Sequence, residues 1–154
     1  MSAEERKHVV ERFFNELWNR RRLEVASEII SKGCITHQLR SGSPDTPAAR
    51  NPEILTSHIT DWLTAFPDLQ FAIDALAVDA DLVFTRATAS GTHKGTWLGV
   101  ASTGRRINIR MAVTFRVVGG KIVEDWVLVD FLGVFQQLGL IPATHDLVAS
   151  TNKT

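Results

Sequence analysis

Apolar residues in the first third of the chain recur three and four positions apart. Val9, Val10, Phe13, Phe14, Leu17 and Trp18 share one face at helical spacing, and Ser2 followed by Glu5 has the form of a capping box. An amphipathic helix is therefore expected over about residues 3–19. Leu23, Ala26, Ile29 and Ile30 predict a shorter helix over about 22–31, stopped by Gly33, which tolerates positive φ. A brief strand is expected over about 34–39. The polar stretch SGSPDTPAAR follows, with Pro44 and Pro47 excluding regular structure, and it reads as a loop placed to act as a lid. Asn51-Pro52 then opens a third helix as N-cap and first-turn proline; its stripe of Ile54, Leu55, His58, Ile59, Trp62, Leu63 and Phe66 runs until Pro67.

Beyond Pro67 the period falls to two. Strands are expected over about 69–78, 82–92, 106–118 and 121–130, and the short turns DAD and GG require antiparallel neighbours. Between the second and third of these, GTHKGTWLGVASTG is too rich in glycine for a regular strand and reads as a bulged excursion or long hairpin end. A helical segment from Phe131 to Leu138 closes at Gly139, and the polar tail beyond Thr144 is expected to be mobile. Helices first and an antiparallel sheet afterwards make a single α+β domain, with the sheet curved around the three helices to enclose a cavity at its open end.

Composition narrows the function classes. The 154 residues include 17 basic and 17 acidic ones, so no general attraction to nucleic acid or anionic membrane is expected. Neither a secretory leader nor a long apolar run is seen, and a cytoplasmic protein is the default expectation. Cys34 is the single cysteine and reads as a buried thiol. The Arg20–Arg22 run falls at the end of the first helix, where it suits the helix dipole better than a phosphate. Dinucleotide, P-loop, serine-hydrolase and zinc signatures are missing, the five histidines are too scattered for a metal set, and no cofactor is expected.

Three stretches, FPDLQ, GTHKGTWLGVASTGRRI and GKIVEDWVLVDFLGVFQQLGL, resemble in this order the SnoaL-like polyketide cyclases, also called ester cyclase-like proteins. The resemblance spans about residues 4–141. It implies the cone-shaped α+β barrel of nuclear-transport-factor-2-like proteins, commonly a homodimer through the outer sheet face. It also implies ring closure by an intramolecular aldol reaction, without metal or cofactor, in a closed hydrophobic pocket. In that correspondence the cyclase aspartate falls on Val127 and the cyclase histidine on Val113, and neither valine moves a proton.

The same correspondence orients the strands. With position 127 inward, period two turns Val123, Asp125, Val127 and Val129 to the cavity and Glu124, Trp126, Leu128 and Asp130 away. On the preceding strand Ile107, Ile109, Met111, Val113, Phe115 and Val117 face inward, an independent alternation in support. Asp125 among valines would be desolvated and its acidity weakened toward neutrality, which makes it the candidate acid/base, unless it is wet or paired with Arg86. His37, on the strand bordering the cavity, is the candidate proton relay to Asp125. Trp62, Phe66 and Trp97 are candidate aromatic walls for an apolar ligand, together with Met111, Val113, Phe115 and Val127. His93 either binds substrate or fixes the hairpin end, and His58 reads as packing. The expected function is a cofactor-independent enzyme performing aldol-type cyclisation or isomerisation on an apolar carbonyl metabolite. The alternatives are a non-catalytic module that binds a hydrophobic ligand and an epoxide-hydrating enzyme.

Overall fold

The computed structural model describes residues 1–40 and 44–151. Helix α1 (Ala3–Arg12) starts at the expected capping box: the Ser2 hydroxyl accepts from the Glu5 N–H at 3.1 Å, and the Glu5 carboxylate accepts from the Ser2 N–H at 2.6 Å. The helix then widens into a π-helical stretch, Phe13–Asn19, closed by Arg20 N–H donating to the carbonyl of Asn15 at 3.2 Å. All four of its large apolar side chains, Phe13, Phe14, Leu17 and Trp18, are buried. Arg21 follows at φ 59°, and its guanidinium gathers the carbonyls of Trp18, Asn19, Pro67 and Leu69 at 2.5–3.0 Å. The middle arginine of the run therefore ties the helix end to the next layer.

Helix α2 (Val25–Ile29) is shorter than expected, and strand β1 (Ile30–Gln38) begins at once. Gly33 does not end the helix; it lies inside β1, where the register with its neighbour shifts between Ile30 and Ile35. The terminal carbonyls of α2 are satisfied instead by Lys121, whose Nζ donates to Ser27 and Glu28 at 2.8 and 2.9 Å. Ser41, Gly42 and Ser43 lie outside the described residues, so of the expected lid only 44–50 is described. There Ala48–Ala49 forms a two-residue edge strand, β2, against β1, correcting the expectation of a wholly irregular loop. Helix α3 (Pro52–Ala65) has the expected cap, with the Asn51 side chain accepting from Ile54 N–H at 2.9 Å.

Strands β3 (Gln70–Asp79), β4 (Leu82–Thr92), β5 (Arg106–Val118) and β6 (Lys121–Val129) match the period-two segments closely. The sheet runs β2-β1-β6-β5-β4-β3; β1 and β6 are parallel and the other pairs antiparallel. It is curved and unclosed, and the three N-terminal helical segments pack into its concave side as expected of an α+β cone. Between β5 and β6, Gly119 and Gly120 both take positive φ, as a two-residue hairpin turn of this twist requires.

One expected facing is wrong. Val117 pairs with Ile122 and Arg116 with Glu124, so Val123 is the extra residue of a bulge. Ile122, fully buried, takes the inward place expected for Val123, and the alternation resumes so that Asp125 still points in. Helix α4 (Phe131–Gln137) is capped by Asp130, which accepts from Gly133 N–H at 2.8 Å. The tail expected to be mobile contains helix α5 (Thr144–Thr151), which buries no side chain. No helix among the described residues is long and apolar enough to cross a membrane.

Candidate functional site

The site is built by three adjacent strands. Parallel pairing sets Thr36 of β1 opposite Asp125 of β6, and antiparallel pairing sets Phe115 of β5 opposite it on the other side. Asp125 is 7% exposed. The Thr36 hydroxyl donates to its carboxylate at 2.5 Å, and Gln38 Nε2 donates to the Thr36 oxygen at 2.9 Å. Burial pushes the Asp125 carboxyl up to about 6; the Thr36 hydrogen bond and the Arg50 charge pull the other way without cancelling it.

Asp125 opens onto a chamber of about 100 Å³ inside the cone. Val113, Phe115 and Val127 supply its apolar wall, while Arg50 and His58 are polar groups on the helix side. Met111, Trp62 and Phe131 line both this chamber and an outer vestibule of about 1250 Å³, into which Trp97, Arg86 and Arg110 also face. Trp97 stacks parallel to Phe131 with ring centres 6.3 Å apart, forming a flat aromatic wall at the mouth. The pocket is therefore a small inner chamber joined to a broad vestibule, not the single closed pocket expected.

Several expected site residues stand elsewhere. His37 does not reach Asp125: its Nε2 pairs with Glu124 at 2.9 Å, its Nδ1 with Asp45 at 3.1 Å, and its ring stacks on Trp126 with centres 5.0 Å apart. Period two explains this, because Thr36 occupies the inward position and its neighbour His37 must face outward. The Glu124 hydrogen bond raises the His37 pKa, and His37 in turn lowers that of Glu124. Arg86 is on the exposed face of β4 and is not the partner of Asp125. Phe66 is fully buried and borders neither cavity; it supports Trp62 and stacks on His93. His93 is also fully buried, and Thr103 contacts its Nδ1 through both hydroxyl and N–H, so it fixes the hairpin end instead of touching the chamber.

Two residues were missed. Arg50 follows β2, with its N–H donating to the carbonyl of Cys34 at 2.8 Å, and Asn51 caps α3 immediately after it. Burial lowers its pKa, with Asp125 opposing. Nothing in PAAR distinguishes this arginine from a solvated loop residue; the edge pairing places it. His58 offered more of a signal, as the polar member of the apolar stripe of α3. Its ring meets Trp18 and Trp62 edge-on, and burial, then Arg50, lowers its pKa to about 4, leaving it neutral at ordinary pH. Cys34 is buried and its thiol is pushed up to about 12, which leaves it without a thiolate. Among the described residues no three His, Cys, Asp or Glu side chains converge as a metal set.

Residues 8–138 match the model of the SnoaL-like polyketide cyclase family. The chain is 28% identical over 119 residues to DauD, the aklanonic acid methyl ester cyclase of Streptomyces sp. strain C5, across 75% of this chain and 67% of that protein. AclR from Streptomyces galilaeus superposes with a TM-score of 0.82 at 27% identity, covering 98% of this chain and 92% of AclR. IdmH from Streptomyces antibioticus gives 0.74 at 29% identity, covering 87% of this chain and 98% of IdmH. The shared architecture is the nuclear-transport-factor-2-like fold.

Proposed function

The chain belongs to the SnoaL-like polyketide cyclase family, and we propose that it is a cofactor-independent cyclase-type enzyme that closes a ring in an apolar carbonyl metabolite, with Asp125 as acid/base. The observation that carries this reading is one carboxyl, 7% exposed, on the wall of an apolar chamber and shifted to about 6. Such a group is mostly ionised at neutral pH yet far more basic than a solvated aspartate. Its carboxylate takes a proton from the carbon beside a carbonyl, and the C–H electron pair becomes an enolate. The enolate carbon bonds to a second carbonyl carbon of the same molecule, and the resulting alkoxide takes the proton back from Asp125. Substrate and product are isomers, so no co-reactant is needed.

Size limits what enters. Small-molecule pockets typically hold roughly 300–1,000 Å³, and the inner chamber of about 100 Å³ admits only the reacting end of a polycyclic substrate. The remainder would lie in the vestibule against Trp62, Trp97 and Phe131. Homodimerisation through the outer sheet face belongs to the same reading; Phe84, 43% exposed there, is an apolar group such an interface would cover. Incubation with aklanonic acid methyl ester, the compound in the name of the DauD relative, tests the activity as a chromatographic shift at unchanged mass. Asp125→Asn should abolish that shift while the fold is kept. An Asp125→Asn protein as active as wild type removes the carboxyl from the reaction, whereas wild type that binds the compound without any shift favours a binding module.

A further inference from the structure

Apart from Arg40, which lines both cavities with its guanidinium carbon 4.9 Å from the Phe131 ring centre, the polar groups of the inner chamber divide into two sets. On the sheet side the hydrogen bonds are used: Gln38 donates to Thr36 and Thr36 donates to Asp125. On the helix side they are open. The Arg50 guanidinium has five N–H donors and no acceptors, and among the described residues it has neither a hydrogen bond nor an ion pair to a side chain. The His58 ring nitrogens likewise have no hydrogen-bond partner among the described residues; the Trp18 and Trp62 rings meet the imidazole edge-on. Both residues line the chamber that Asp125 lines. Half-buried donors that the protein leaves unsatisfied are costly unless water or a ligand oxygen meets them.

Their backbones are held firmly. Arg50 is pinned between the Ala48–Ala49 edge pairing, its own N–H bond to Cys34 and the Asn51 cap, while His58 sits mid-helix in α3. Donors fixed in advance, facing a poorly hydrated space opposite a base, are what a developing oxyanion requires. We infer that Arg50 and His58 form the oxyanion-holding side of the chamber, taking the enolate or alkoxide oxygen of a carbonyl substrate while Asp125 handles the proton. This rests on the chamber being the reaction site. Arg50 supplies charge, and His58 acts as a neutral imidazole hydrogen-bond donor that need not titrate during turnover. The favoured ligand is therefore a compact apolar ring bearing one anionic oxygen, a phenolate or enolate, in preference to its uncharged isostere.

The test uses two probes of nearly equal shape on the intact chain: 4-nitrophenol at about pH 8.5, where it is ionised, and nitrobenzene as the neutral counterpart. Wild type should bind the phenolate more tightly. Arg50→Met should weaken the phenolate by about tenfold or more, the size of a lost charge-assisted hydrogen bond, with nitrobenzene affinity unchanged as the control that the chamber is intact. Arg50→Lys should keep part of the preference, and His58→Phe should weaken the phenolate by a smaller factor than Arg50→Met. Asp125→Asn, by removing a negative charge, should strengthen phenolate binding whether or not it abolishes turnover, so this inference and the acid/base reading fail separately. Equal wild-type affinity for the two probes, or an unchanged phenolate affinity in Arg50→Met, overturns the inference. If Arg50→Met does not fold, Arg50→Lys and His58→Phe decide: no loss of phenolate preference in either is an equally negative result.

Discussion

Thr36 and Asp125 face each other across the parallel β1–β6 pair, with the hydroxyl donating to the carboxylate at 2.5 Å on the inner face of the sheet. That bond favours the ionised form, yet burial outweighs it and the carboxyl remains near 6. Thr36→Val keeps the shape and removes the donor. The Asp125 pKa should then rise further above about 6, read by carboxyl NMR, and the acid limb of any turnover profile should move up with it. A pKa that stays put would show that the hydroxyl does not engage the carboxylate in solution.

Asp125 and His58 should give stability opposite dependences on pH. The folded Asp125 pKa, about 6 against an ordinary 3.8, means its favourable contribution is complete below about pH 4 and lost as pH rises to about 6. His58, about 4 against 6.5, contributes fully above about 6.5 and loses this as pH falls to about 4. Each change is about 3 kcal/mol across its window, so in wild type the two nearly cancel. Relative to wild type, Asp125→Asn should gain stability as pH rises from 4 to 6.5, and His58→Gln should lose it. Urea unfolding across that range reads both slopes; slopes of the same sign would refute the assignment.

Arg21 gathers four backbone carbonyls from a left-handed backbone position. Arg21→Ala should cost about 2–3 kcal/mol in thermal or urea unfolding, because those carbonyls lose charge-assisted partners and the backbone strain persists. Arg21→Gly loses the same bonds but relieves the positive φ, and should be milder than the alanine change by about 1 kcal/mol. Glycine and alanine variants of equal stability would show that the φ carries no strain.

Gly95 marks a close approach of the hairpin end to the end of α3. A Cβ there would stand 2.1 Å from the Thr64 carbonyl oxygen, a backbone atom that cannot swing aside. Gly95→Ala should cost more than about 2 kcal/mol and disturb Trp62 and Trp97, whose ring centres lie 5.2 Å apart. Tryptophan fluorescence alongside unfolding checks both; an unperturbed spectrum at wild-type stability contradicts the contact.

Local chemistry alone determined a good deal of this protein. The Ser2–Glu5 and Asn51–Pro52 caps, the 3.6-residue stripes of α1 and α3, and the period-two strands were legible because they depend on residues within one turn or one strand. The inward direction of Asp125 was legible through the family correspondence at Val127, with the β5 alternation in support, even though the Val123 bulge, which depends on pairing between β5 and β6, reversed the facing of the residues before it. Lys121 capping α2 from 93 residues away in the chain, against an expected glycine stop, belongs to the same class of nonlocal decisions.

The composition of the site was decided only when strands and helices came together. Parallel pairing of β1 with β6 gave Asp125 a threonine and turned His37 toward Glu124. Two residues of edge pairing carried Arg50 out of a polar loop and into the chamber. Periodicity along a chain tells which side of its own element a side chain takes; what it meets there is set by elements distant in sequence, through burial and hydrogen bonding that exist only in the folded protein.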